Sequence, residues 1–138
     1  MLMEEKMYNA YIEYCVDGYN DVVIKVDSLQ EQLKKIKEKT FDIFKAPFSV
    51  DIVINEIGRM SIGLDEDTVL CYKSSDLELQ LTALGDLFAE GNATFYFGDY
   101  SLISKKYLIS YELALDILNY WINTGNLSDK VIWTNQIY

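Results

Sequence analysis

The hydrophobic positions change period several times along the chain, and each change marks an element. Over residues 7–16, Ala10, Ile12, Tyr14 and Val16 share one face of an extended segment, with Asn9, Tyr11 and Glu13 on the other. Asp17, Gly18, Tyr19, Asn20 and Asp21 form a turn cluster, and the strand pattern resumes from Val22 to Val26, which predicts an opening β-hairpin. From Ser28 the period lengthens. Leu29, Leu33, Ile36, Thr40 and Ile43 recur at helical spacing, and Ser28 with Glu31 fits a capping box. Lys34, Lys35, Lys37 and Lys39 lie largely off that stripe as a solvated face, and Pro47 requires the helix to stop by Ala46.

The period returns to two at Phe48. Phe48, Val50, Ile52 and Ile54 face one way, and Ser49, Asp51, Val53 and Asn55 the other. Met60, Ile62 and Leu64 point inward from a second strand and Val69–Tyr72 supply a third, an antiparallel meander. Between residues 76 and 92 the alternation of Leu77, Leu79 and Leu81 is broken by Gly85, Gly91 and Asn92, so no regular element is assigned there. Ala93–Phe97 reads as a strand. Ser110 is placed as the N-cap of a second long helix, with Glu112 in its first turn. Its apolar stripe comprises Leu113, Ile117 and Trp121 beside Ala114, Leu118 and Ile122, and Gly125 is its left-handed stop. Val131–Trp133 closes the chain as a short strand. With no internal repeat or linker, residues 1–138 are expected to form one α+β domain, an antiparallel sheet packed with two principal helices.

Composition narrows the function classes. The chain has 138 residues, half of them hydrophobic, enough for one core. Its formal charge is −10, with a pI near 4.3, which repels phosphate backbones and anionic membrane surfaces alike. A basic protein partner would be attracted. The absence of histidine removes Ser-His-Asp and Cys-His catalysis and most zinc sites. Cys15 and Cys71 are read as reduced, buried small hydrophobes of a cytosolic protein. Residues 1–6 lack the basic region followed by an apolar run that a leader peptide shows, and no run matches a membrane span, so a cytoplasmic location is expected.

Candidate chemistry is sparse. Asp65, Glu66 and Asp67 form the densest acidic cluster but lack the spacing of a calcium loop, so they are read chiefly as a solvated turn, with partner contact the next reading. No carboxylate pair is singled out for acid–base work. Gly58 with Gly63, and Gly85 with Gly91, have no phosphate-loop spacing and are read as turns. Eleven tyrosines exceed ordinary usage, and tyrosine is enriched at protein interfaces. Charge is uneven. Residues 28–45 hold five lysines against three acids, whereas residues 51–99 hold two cations against ten acids, a net −8.

Three segments then form an ordered pattern: the aromatic strand Phe95–Gly98, the stretch Ser104–Ala114 with its Ser110 cap, and Asn123–Trp133 with a Thr124–Gly125 stop. Together with the Arg59–Gly63 strand and the acidic loop after it, this resembles the first-numbered immunity-protein family of bacterial polymorphic-toxin systems. The resemblance covers roughly residues 48–135. It implies a small non-enzymatic cytosolic antitoxin that binds the toxin domain of a cognate effector such as a nuclease or deaminase; no cofactor or metal is expected, since the chain has no histidine and no oxygen-ligand loop of recognisable spacing. The matched Gly98, Ser110, Gly125 and Trp133 have structural jobs as turn, cap, helix stop and core anchor. They are not carried over as binding residues.

The leading expectation is therefore occlusion of a basic cognate toxin protein, with no nucleic-acid or membrane partner. Asp65, Glu66, Asp67, Glu90 and Asp99 are the charged candidates for the interface and Tyr100 the aromatic one. The alternative is a small-ligand-binding regulatory α+β module without catalysis, which an enclosed pocket would favour. A carboxylate-dependent hydrolase is the third reading, and a close buried carboxylate pair would favour it.

Overall fold

Alternating side chains make the sheet and two apolar stripes make the helices that cover it. The computed structural model describes residues 8–137; Met7, at the start of the expected first strand, and the leader-peptide reading of residues 1–6 lie outside the described residues. The strands are β1 (Tyr11–Cys15), β2 (Asp21–Lys25), β3 (Ser49–Ile54), β4 (Gly58–Gly63), β5 (Asp67–Thr68), β6 (Leu70–Ser74), β7 (Gln80–Leu84), β8 (Asn92–Tyr96), β9 (Tyr100–Ser104), β10 (Ile109–Ser110) and β11 (Ile132–Thr134). The helices are α1 (Leu29–Phe44) and α2 (Tyr111–Thr124). Seven strands form one antiparallel sheet in the order β11-β7-β6-β4-β3-β1-β2, while β8-β9 and β5-β10 are separate two-stranded pairs. The α+β architecture with two helices is as the periodicity predicts.

One face of the sheet is apolar. Ile12, Ile52, Met60 and Tyr72 lie in register across β1, β3, β4 and β6, and they join Leu29, Leu33 and Ile36 of α1 and Ala114, Ile117, Leu118 and Trp121 of α2 in one buried cluster. The helix ends differ in how they are closed. At α2, Ser110 Oγ accepts the Leu113 N–H at 3.2 Å, and Gly125 takes the left-handed conformation at φ 76°. At α1, Ser28 makes no side-chain cap bond. The Gln32 side chain bridges there instead, accepting from Asp27 N at 3.0 Å and donating to Lys25 O at 2.9 Å. The expected capping box is thereby replaced.

Other details also depart from the pattern. Ile43 is 55% exposed, because Phe44 turns inward and stacks on Phe48 at 5.1 Å. The stretch left unassigned contains β7, which pairs with β6 and carries β11 on its other edge. Cys15 and Cys71 are free and only partly buried. Gly63 and Gly85 are sites of close approach rather than turns: an added Cβ would meet the Phe95 ring at 2.5 Å and Leu108 O at 2.0 Å. Trp133 packs partly buried against the core, its Nε1 donating to Ser128 O at 2.8 Å.

Candidate functional site

The other sheet face is polar, and register explains why. Glu13 lies opposite Asp51, Asp51 opposite Ser61, Ser61 opposite Cys71 and Cys71 opposite Thr82. Each residue is the polar member of an alternating strand, so antiparallel pairing aligns them into one row across five strands. Two residues along each strand, and so on the same face, a second row runs Tyr11, Val53, Arg59, Lys73 and Gln80.

The rows are joined at Asp51. Its Oδ2 accepts from Arg59 Nη1 at 2.7 Å and its Oδ1 from Ser61 Oγ at 2.5 Å, while Arg59 Nη2 lies 3.8 Å from Glu13 Oε1. These groups are all partly exposed. Glu13 and Asp51 are thus the carboxylate pair the fold brings together, and a guanidinium lies between them. Burial raises the Cys71 thiol above its usual range, against the Thr82 hydroxyl, which lowers it, and with the Asp51 charge adding to the rise.

The β8-β9 hairpin walls this face. It is anchored at the β3 end, where Tyr96 N donates to Pro47 O at 2.8 Å and Ser49 Oγ to Tyr96 O at 2.9 Å, and Phe95 is fully buried against Gly63. Phe97 then lines a cleft of about 540 Å³ with Asp51, Arg59, Ser61, Cys71, Lys73 and Leu77. A second cleft of about 750 Å³ runs between β7 and β9 and is bordered by residues 134–137. Both open to solvent rather than enclose a cavity.

The residues proposed from sequence are placed separately. Glu66 O accepts the Tyr111 N–H at 2.8 Å and Asp67 pairs with Ser110, so the Asp65–Asp67 loop is seated at the N-terminus of α2. Carboxylates suit that end of a helix, which gives the cluster a structural role. Asp99 is in the β8-β9 turn and Glu90 in the connection before β8, both exposed. Tyr100 is 60% exposed, rests its ring edge on Tyr96 at 5.0 Å and donates to Phe44 O at 2.8 Å. No hydrogen bond or ion pair joins these three groups to one another among the described residues.

Sequence reasoning missed Glu13, Asp51, Arg59, Ser61 and Lys73. A polar residue facing outward from a half-buried strand is expected wherever sheets meet water, so only the register reveals that these five are neighbours. No group of three or more candidate metal-ligating side chains is found among the described residues. No helix among them is long and apolar enough to cross a membrane. No protein-family model matches the chain, and no curated protein matches it in sequence.

Proposed function

We propose that this chain is a cytoplasmic immunity protein that binds a cognate secreted toxin domain and occludes its active face. The observation that carries the reading is a surface combining net charge −10 with large apolar side chains held in solvent, among them Leu77 at 73%, Leu102 at 71% and Ile132 at 71% exposed. Apolar side chains exposed on a charged surface are what a protein partner can cover, and an acidic field accelerates encounter with a basic partner. The ordered resemblance of the C-terminal half, from Phe95 to Trp133, supports the toxin-directed form of the reading. Asp65, Glu66, Asp67, Glu90, Asp99 and Tyr100 remain its proposed rim contacts. Inhibition is stoichiometric, requiring no chemistry of the immunity protein itself.

The test is co-expression with the toxin domain encoded beside it. Restored growth and co-purification as a complex are expected. Failure of both would overturn the proposal. The clefts are open troughs, so no observation favours the small-ligand reading over this one, and the partly exposed, Arg59-bridged carboxylates give the hydrolase reading no buried pair.

A further inference from the structure

Lys73 carries a charge that no ion pair among the described residues answers. It stands directly opposite Arg59 in the β4-β6 ladder, and like charges so placed repel. In residues 51–99 these are the only two cations, yet the fold sets them side by side. Both carboxylates that approach Arg59, on Asp51 and Glu13, come from β3 and β1; the flank of Arg59 toward Lys73 has neither. The open face is therefore graded across the strands, negative at β1 and β3, positive at β4 and β6.

A second, independent feature adjoins the cations. Leu77 has φ 64°, a left-handed conformation rarely adopted by a residue with a bulky side chain, and it is one of the exposed apolar residues above. The turn that holds it is heavily bonded: Leu77 N donates to Ser74 O at 2.9 Å, Leu79 N to Ser74 Oγ at 3.0 Å and Glu78 N to Asp76 Oδ1 at 3.0 Å. Ser74 Oγ also donates to Asp76 at 2.5 Å, which keeps the acid nearest Lys73 in sequence occupied within the turn. Leu77 lines both clefts that contain Arg59 and Lys73, and Phe97 also lines the larger one. Strain of this kind persists only where the surroundings over-determine it, and it clusters at binding sites.

We propose that Arg59 and Lys73 form a docking site for a single carboxylate carried beside an apolar side chain on an otherwise uncharged segment of a partner protein. The carboxylate bridges Lys73 Nζ and the free side of the Arg59 guanidinium, whose fork suits carboxylate geometry, and the apolar neighbour packs between Leu77 and Phe97. A polyanion is a poor occupant, because its further charges would meet the acids around the site. The site rests on the protein-binding reading only in taking a protein segment as occupant; it does not require that the partner be a toxin.

The experiment is an NMR titration of the whole chain with three probes: acetyl-Leu-Glu-Leu-amide, the same peptide with Gln for Glu, and inorganic phosphate. The acidic peptide should give saturable shifts centred on Arg59 Nε–H, the Lys73 side chain and the Leu77 methyls. The Gln peptide should bind several-fold more weakly. Lys73→Gln should abolish the saturation with its melting temperature held or raised, since a like-charge repulsion is removed, and Lys73→Arg should restore it. Equal response to both peptides, saturation by phosphate at the same residues, or an unaffected Lys73→Gln variant would each overturn the proposal. Peptide binding without growth rescue in the co-expression test would count against the toxin reading alone.

Discussion

Arg59 on β4 and Asp51 on β3 meet at 2.7 Å on the open face of the sheet, with Ser61 closing on the other oxygen of the same carboxylate. A charge-assisted bond is worth ~1.5–3 kcal/mol when shielded, but the Arg59 and Asp51 side chains are 43% and 30% exposed, so solvent screening reduces it. Asp51→Ala is expected to cost about 1–2 kcal/mol, a fall of roughly 4 °C in Tm per kcal/mol at this length. A double-mutant cycle with Arg59→Ala measures the coupling. A coupling of zero would show that the pair orients side chains without stabilising the sheet.

The hairpin wall depends on Gly63. A Cβ there would lie 2.5 Å from the Phe95 ring, and Phe95 is fully buried. Gly63→Ala must displace the ring and with it the hairpin, at an expected ~1–3 kcal/mol for overpacking. Thermal melts of Gly63→Ala, Phe95→Leu and the pair check this. The double variant should be more stable than the sum of the single losses predicts, and simple additivity would place the ring elsewhere.

Period and punctuation in the sequence were sufficient for β1 to β4, β6 and both helices, because each turns one regular face toward the core, in β2 only the partly buried Val22 and Ile24. They failed where one residue had two competing neighbours or where a strand lacked a strong face. Ser28 had the chemistry of a cap, but the longer Gln32 side chain reached the backbone groups before the helix. Ile43 and Phe44 competed for one inward position, and the larger aromatic took it. β7 shows only Ala83 fully buried, and β9 shows no buried residue, so neither alternation stood out. The polar rows were illegible for another reason: Glu13, Asp51 and Arg59 are separated by 38 and 8 positions and become neighbours only through register.

The two tryptophans should respond differently. Trp121 is fully buried, edge-on to Tyr72 at 6.0 Å, and its Nε1 has no hydrogen-bond partner among the described residues. Trp121→Ala should cost ~3–5 kcal/mol, whereas Trp121→Phe recovers much of that by removing an unpaired buried donor. Trp133→Phe loses the bond to Ser128 O and should cost about 1 kcal/mol. Denaturant melts separate the cases. A Trp121→Phe loss equal to that of Trp121→Ala would mean the indole nitrogen is satisfied.

The β1-β2 turn carries an acid-sensitive contact. The Asn20 and Tyr19 backbone N–H groups both donate to Asp17 Oδ1 at 2.8 Å and hold its pKa at about 2, down from 3.8, with the Asn20 side chain assisting. Because the folded value lies below the unfolded one, the contribution is complete above 3.8 and is lost as pH falls through about 2. Protection of the Tyr19 and Asn20 amides, taken as exchange relative to the intrinsic rate at each pH, should therefore fall in the wild type as pH drops through about 2. In Asp17→Ala it should be low throughout, and a carboxyl titration of Asp17 centred near 3.8 would refute the bonding.

Charge reversal of the Asp65–Asp67 loop should separate folding from binding. The loop holds the Tyr111 N–H through Glu66 O and pairs Asp67 with Ser110, so it sits beside the end of α2 where the dipole is positive. Each such charge contributes ~0.3–1 kcal/mol at low salt. Replacing Asp65, Glu66 and Asp67 together by Lys should therefore lower the melt by about 1–3 kcal/mol, and added salt should recover part of it. If the loop is also a rim contact for a basic partner, the same variant should associate more slowly, with a flatter dependence of rate on ionic strength and little change in dissociation. Asp65, Glu66 and Asp67 changed to Asn, Gln and Asn provide the control, removing charge without reversing it. Across this series, a melt that tracks charge while the association rate stays constant would confine the loop to its helix-capping neighbourhood. The rim contacts with a basic partner would then fall to Glu90, Asp99 and Tyr100 of the β8-β9 region.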